Sequence, residues 1–192
     1  MLIATPSVLD DVPASPSALS CLASASLGRL VREIDAALDG SASERATALR
    51  TAIQRAALHR DWLSPEHLAP QSDCYARHLI HADQRGRYTV LSLVWSPGQF
   101  SPVHAHHTWC AYAVCAGMLT ENLYRHEAET GTATLLRTAV RHAGYGGTAE
   151  AGLEQIHRLG NAGNEIAVSL HVYGVEASRI STGVNRVIER VG

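Results

Sequence analysis

The chain contains no lysine. All sixteen of its basic residues are arginine, eighteen acidic residues offset them, and the formal net charge is −2. Such a balance leaves no basic face for a nucleic-acid backbone. No apolar run approaches the ~18 residues of a membrane span, so no membrane partner is expected. The N-terminal residues Met1 to Pro6 carry no basic stretch and soon meet Asp10 and Asp11, which argues against a signal peptide. The four cysteines, Cys21, Cys74, Cys110 and Cys115, include no C-x-x-C pair. Reduced thiols and a cytoplasmic location are therefore expected. There is no repeat of fixed period.

What is present is apolar material for one core. Of 192 residues 46% are hydrophobic, enough for a single domain of ordinary size. Residues 1–17 are rich in Pro, Ser and Ala and are expected to fray as a flexible tail. A helical segment is expected over 18–72. In it Leu27, Leu30, Val31, Ile34 and Leu38 recur at helical spacing up to Gly40. A second helix is expected from Ser43-Glu44, with Leu49, Ile53, Ala56 and Ala57 as its inner stripe. Leu63-Ser64-Pro65-Glu66 predicts a short third helix capped by Ser64 and ended by Pro70.

From residue 73 to 192 the texture is that of strands. Apolar runs at 75–81, 88–95, 109–115, 118–125, 132–138, 153–159, 166–173 and 184–188 are divided by Gly, Asn and Thr clusters. Many short strands with turn residues between them predict a mainly β fold, a small antiparallel barrel or sandwich, with the helices packed on it.

Within the strands one stretch stands out, Gly98-Gln-Phe-Ser-Pro-Val-His104-Ala-His106-His-Thr-Trp-Cys110. Side chains two apart on a strand share a face, so His104 and His106 can reach one ion together. Five residues separate Gly98 from His104, and six separate Cys110 from Gly117. This frame resembles the first motif of the cupins, with Cys110 where most cupins carry a carboxylate. That departure resembles the thiol dioxygenases of the cysteine dioxygenase type I family. The segment from Gly152 to Asn161 resembles the second cupin motif, in which His157 is followed by Asn161. On a strand opposite the first, His157 would complete a face of three imidazoles. The resemblance thus implies a cupin barrel or jelly roll, with helices first and barrel after, and a site for Fe(2+).

Imidazole suits Fe, Zn, Cu and Ni alike. Three neutral histidines leave the full charge on a divalent ion, which favours an anionic ligand such as a thiolate. Ser169, His171 and Tyr173 alternate on one strand face, so Ser169 can orient His171 and His171 can orient Tyr173. They match the Ser-His-Tyr relay of the thiol dioxygenases, which implies that Tyr173 positions substrate and oxygen. Tyr75-Ala-Arg77-His-Leu79 resembles the strand whose arginine grips a substrate carboxylate in the cysteine-specific branch. A guanidinium pairs with a carboxylate in a planar, bidentate way. A surface ion pair remains the other reading of Arg77. The resemblance also implies a possible thioether between Cys110 and Tyr173, as in the animal enzymes; a small buried thiol is the alternative for Cys110 and the reading of Cys115.

Two departures from the animal pattern stand out: the loop after His106 is one residue shorter, and Gly174-Val175 replaces a proline-bearing segment. The expected activity is the addition of both atoms of O2 to the sulfur of L-cysteine, giving the sulfinate. Alternatives are the same chemistry on 3-mercaptopropionate or another thiol acid, and a metal-binding cupin sensor without turnover. A zinc or nickel cupin isomerase or hydrolase would expect a carboxylate at position 110. His78, His81 and His107 carry no role and are expected on exposed loops. Oligomeric state is not legible.

Overall fold

The structure is a computed structural model and describes residues 16–59 and 62–192, with side chains from residue 25 onward. The expected frayed tail over 1–17 lies, except for its last two residues, outside them, as does the side chain of Cys21. Two helices come first, α1 (Pro16–Leu38) and α2 (Ala42–Leu58), followed by a 3-10 turn, Pro65–Leu68; another 3-10 turn, Ala177–Arg179, comes late in the chain. Ten strands follow: β1 (Ala76–Ala82), β2 (Thr89–Trp95), β3 (His104–His106), β4 (Cys110–Ala116), β5 (Met118–Glu127), β6 (Thr132–His142), β7 (Gly146–Ala149), β8 (Gly152–Gly160), β9 (Ala167–Tyr173) and β10 (Asn185–Val187). All the pairings between these strands are antiparallel. The mainly β class with a helical N-terminal segment is what the structure shows.

The second helix begins earlier than expected. Its cap is Ser41, not Ser43, because Glu44 at the third helical position reaches back to the Ser41 N–H at 3.0 Å while the Ser41 hydroxyl faces the Glu44 N–H. The strand at Gly146–Ala149 was missed, since Gly-Gly-Thr-Ala has the composition of a turn. It is held as a strand by pairing with β4.

The strands form two five-stranded sheets, ordered β1-β2-β9-β4-β7 and β10-β3-β8-β5-β6. In the first sheet every residue of β2 and β9 is buried, because both faces are covered. Its outer face packs Val90, Val94, Ala111, Ala113, Val168, Leu170 and Val172 against Leu30 and Ile34 of α1 and Leu49 and Ile53 of α2. Its inner face turns Leu91, Leu93, Trp95, Cys110, Tyr112, Val114 and Tyr173 into a second cluster with Leu119 and Leu159 of the other sheet. The helices therefore back the sheet that carries the polar strand Ser169-Leu-His171-Val-Tyr173.

Two glycines of the first motif have steric reasons. Gly98 (φ 82°) and Gly117 (φ 67°) adopt left-handed backbone that side chains other than glycine rarely enter. At Gly117 a Cβ would also stand 2.9 Å from the Ile166 carbonyl.

The turn between β1 and β2 is closed by one carboxylate. Asp83 accepts from the Arg87 N–H, Nε and Nη2 at 2.8–2.9 Å, and Arg87 also reaches Asp35 of α1 at 2.5 Å. The Arg87 side chain holds the Asp83 carboxyl well below the usual carboxylate range, against the opposing effect of desolvation. A depressed carboxyl contributes stability that is present above its unfolded pKa and is lost as pH falls through the folded value. Asp83→Asn should therefore lower Tm near neutrality, and the gap to the wild type should begin to narrow below about pH 4 and shrink steadily as the pH falls further. Thermal melts across pH test this, and a constant gap contradicts it. For the helix-to-sheet packing, Ile53→Ala empties a fully buried position and should cost about 2–5 kcal/mol in urea unfolding. Leu58→Ala, at a residue 67% exposed, should cost about 0.5 kcal/mol or less.

Candidate metal centre

The three histidines meet between the sheets. His104 and His106 lie on β3, and His104 pairs directly across the ladder with His157 on β8. Directly opposed residues of an antiparallel pair share a face, so the pairing itself brings the two imidazoles together. This corrects the expectation that His157 comes from an opposite wall: its strand is the hydrogen-bonded neighbour of the first. A register shift between His104 and His106 opposes His106 to Gly152, which leaves no side chain across from it. One ring nitrogen from each of the three histidines lies within 4.8 Å of the others. All three side chains are buried.

Burial, then the neighbouring His157, pushes His104 down to about 3 and His106 down to about 2. Both are neutral imidazoles at any ordinary pH, the protonation state a metal requires. His104 Nδ1 lies 2.9 Å from the Pro102 carbonyl and His157 Nδ1 lies 2.8 Å from Glu121 Oε1. Each acceptor takes the Nδ1 proton and leaves an Nε2 lone pair for the pocket. His106 Nδ1 is buried with no partner among the described residues. Three buried imidazoles with converging ring nitrogens, one ring having its other nitrogen orphaned, fit a divalent transition-metal ion.

The facing sheet supplies the polar chain. Trp95 Nε1–H donates to Ser169 Oγ at 2.9 Å, Ser169 Oγ lies 2.9 Å from His171 Nε2, and His171 Nδ1 lies 2.9 Å from the Tyr173 hydroxyl. Burial first, and then His157, holds His171 down to about 3. Burial likewise keeps the Tyr173 phenol well above its usual pKa. The Tyr112 ring stacks on His171 with centroids 5.5 Å apart. Cys110 pairs across the ladder with Tyr173, and its Sγ lies 3.4 Å from His106 Nε2. Burial pushes its thiol up to about 12, so it stays protonated.

The imidazoles open on a small pocket between the sheets. Tyr75, His104, His106, Cys110, His157, His171 and Tyr173 line it, while Ser169 lies behind, fully buried. Arg77 does not line it. Its side chain is exposed at the rim and donates to the Tyr75 hydroxyl at 2.5 Å, and the Tyr75 ring stacks on Trp95 at 4.2 Å. Sequence reasoning missed Trp95, Tyr112, Glu121, Arg141 and Asn185. Period-two alternation marks residues along one strand, but these act across strands. Of the unassigned histidines, His78 bonds the Ala69 carbonyl at 2.7 Å, His81 packs near the Tyr88 ring and His107 is exposed. None lines the pocket. Cys115 is buried in the cluster under the helices. The glycine that departs from the animal pattern has a local reason, since a Cβ at Gly174 would stand 2.2 Å from the Trp109 indole nitrogen. The next residue, Val175, donates its N–H to the Tyr173 carbonyl, which proline could not do.

Among solved structures, the chain is similar to a conserved protein with a double-stranded beta-helix domain from Klebsiella pneumoniae, at 18% identity and TM-score 0.46, over 58% of this chain and 81% of that one. The TT1209 protein of Thermus thermophilus is similar at 20% identity and TM-score 0.46, over 59% and 95%. An oxalate oxidase solved with the substrate analogue glycolate is similar at 18% identity and TM-score 0.43, over 55% and 53%. Among the described residues no helix is long and apolar enough to cross a membrane. The family model of cysteine dioxygenase type I matches residues 20–182. With most of its length matched, this chain belongs to the cysteine dioxygenase type I family.

Proposed function

We propose that the protein is a non-haem Fe(II) thiol dioxygenase that adds both atoms of O2 to the sulfur of L-cysteine, giving cysteine sulfinate. The observation that carries this reading is the meeting of two sets of residues across one pocket. Three imidazoles stand on one sheet, and a hydrogen-bonded Trp-Ser-His-Tyr chain stands on the other. In this reading His104, His106 and His157 hold the metal. Bound there, Fe(II) supplies the redox chemistry and a positive charge that favours thiolate over thiol.

The remaining work belongs to the chain's own side chains. Indole nitrogen can only donate, so the Trp95 bond occupies an acceptor site on Ser169. The Ser169 hydrogen then goes to His171 Nε2, and neutral His171 keeps its single ring proton on Nδ1. That proton is donated to the Tyr173 oxygen. The Tyr173 hydrogen is left over and faces the pocket, where it can donate to a substrate or oxygen atom beside the metal face. Tyr173 is the catalytic residue in this scheme, and His171, Ser169 and Trp95 position it.

Arg77, held over the Tyr75 ring at the mouth, is assigned to the substrate carboxylate, with Tyr75 as its support. A carboxylate at the rim and a sulfur at the metal face would orient an amino acid along the pocket. The balance of the overall step is complete in itself: the thiol sulfur supplies four electrons and dioxygen accepts them, so no external reductant enters.

With Fe(II) loaded anaerobically, an oxygen electrode should record uptake on adding L-cysteine, with sulfinate formed in equal amount. Arg77→Gln should reduce L-cysteine turnover by about 100-fold, the scale of losing a charge-assisted bidentate contact. Equal turnover by the variant would sink the cysteine assignment and favour 3-mercaptopropionate or another thiol acid. No uptake with any thiol, despite bound iron, would favour a sensor.

The Cys110–Tyr173 thioether is a second expectation of this reading. Forming it joins Sγ to the phenol ring and removes two hydrogen atoms, with O2 as the oxidant. Active enzyme digested with trypsin should show the two peptides joined with a loss of two hydrogens. Full recovery of both unmodified peptides would rule the bond out.

A further inference from the structure

A single diagonal row runs across four strands of the second sheet behind the imidazole face. His104 is opposed to His157. Leu123 is opposed to His157, so Glu121, two residues away on the same face of β5, is its diagonal neighbour. Leu119 is opposed to Arg141, so Arg141 is in turn the diagonal neighbour of Glu121 across β5 and β6. The side chains use this geometry. His157 Nδ1 lies 2.8 Å from Glu121 Oε1, and Arg141 donates to Glu121 Oε2 at 2.8 Å. Arg141 is itself laid over the Tyr145 ring, 4.1 Å from its centroid. Glu121 is only 5% exposed. A buried carboxylate is costly unless paired and hydrogen-bonded, and here each oxygen has one partner.

The proposed metal face has no carboxylate of its own, since it is made of three histidines and position 110 holds a cysteine. We propose that Glu121 is a positioning residue for this centre. It supplies a negative charge one hydrogen bond behind the imidazole of His157, and Arg141 limits how much of that charge is delivered. The inference rests on the reading of the three histidines as ligands. Its first effect is orientation: the bond keeps the His157 proton on Nδ1 and the Nε2 lone pair on the pocket. Its second is electronic: a carboxylate accepting the Nδ1 proton makes the imidazole a stronger donor to a cation. Arg141 opposes the second effect without touching the first, because it holds the other oxygen.

The two variants therefore separate charge from shape. Glu121→Gln keeps the size and an acceptor oxygen but removes the charge. It should weaken Co(II) binding about 10–100-fold, read by competition with a chromophoric chelator in the absence of oxygen. The visible bands of bound Co(II) should shift as well. Arg141→Gln leaves the carboxylate in place without its counter-charge, and its Co(II) affinity should equal or exceed that of the wild type. Circular dichroism and Tm of the metal-free proteins monitor folding. Wild-type binding with an unchanged affinity and spectrum in Glu121→Gln would overturn the proposal alone. Equal weakening in both variants would mark a merely structural ion pair and overturn it too. Failure of the folded wild type to bind Co(II) would overturn the ligand reading and the proposal together.

Discussion

Three imidazoles within 4.8 Å of each other, shut away from water, cannot all be charged. Protonated rings at that distance would repel one another strongly and lose their hydration. The protein meets this constraint by giving buried ring protons fixed acceptors. His104 gives its Nδ1 proton to a backbone carbonyl, and His157 gives its own to Glu121. The remaining ring nitrogens converge on one space, with the Cys110 thiol 3.4 Å from His106 Nε2 at its side. A cation is the simplest occupant of such a space.

The same constraint explains the division of labour between the sheets. The imidazole sheet must keep its polar partners behind it, on β5 and β6, or the pocket would fill with charge. The facing sheet carries the second polar row, and its own outer side is sealed by α1 and α2. That seal has a consequence for the relay. Ser169 and His171 are cut off from solvent, so their hydrogen bonds have no water to compete for them. The helical segment therefore supports the chemistry without contributing a side chain to the pocket.

Much of this was legible before any coordinates, because both key patterns repeat at the period of a strand. His104 with His106, and Ser169 with His171 and Tyr173, announce a shared face by alternation alone. The positive-φ glycines, Gly98 and Gly117, mark the ends of the first motif for steric reasons. What alternation cannot convey is which strands are neighbours. His157 was expected on an opposing strand and is instead the hydrogen-bonded neighbour of His104. Glu121, Arg141 and Trp95 escaped notice for the same reason, since each meets its partner across a ladder, and cross-strand register is not written in either strand by itself. Ser41 was passed over for Ser43 because the cap depends on where Glu44 can fold back, a three-residue relation that two nearby serines leave ambiguous.

Charge also bears on which molecule the pocket would accept. In the proposed reading, the metal face offers a divalent cation relieved by one buried carboxylate, whose own charge is partly spent on Arg141. The mouth offers Arg77, which no carboxylate among the described residues occupies and which leans on the Tyr75 hydroxyl and ring. A ligand anionic at both ends, thiolate inward and carboxylate outward, would match both without placing a bare charge against Leu93 and Leu159 along the wall. A neutral thiol would leave Arg77 unpaired. In that reading the positive charge at both ends of the pocket is what favours a thiol acid over a neutral thiol.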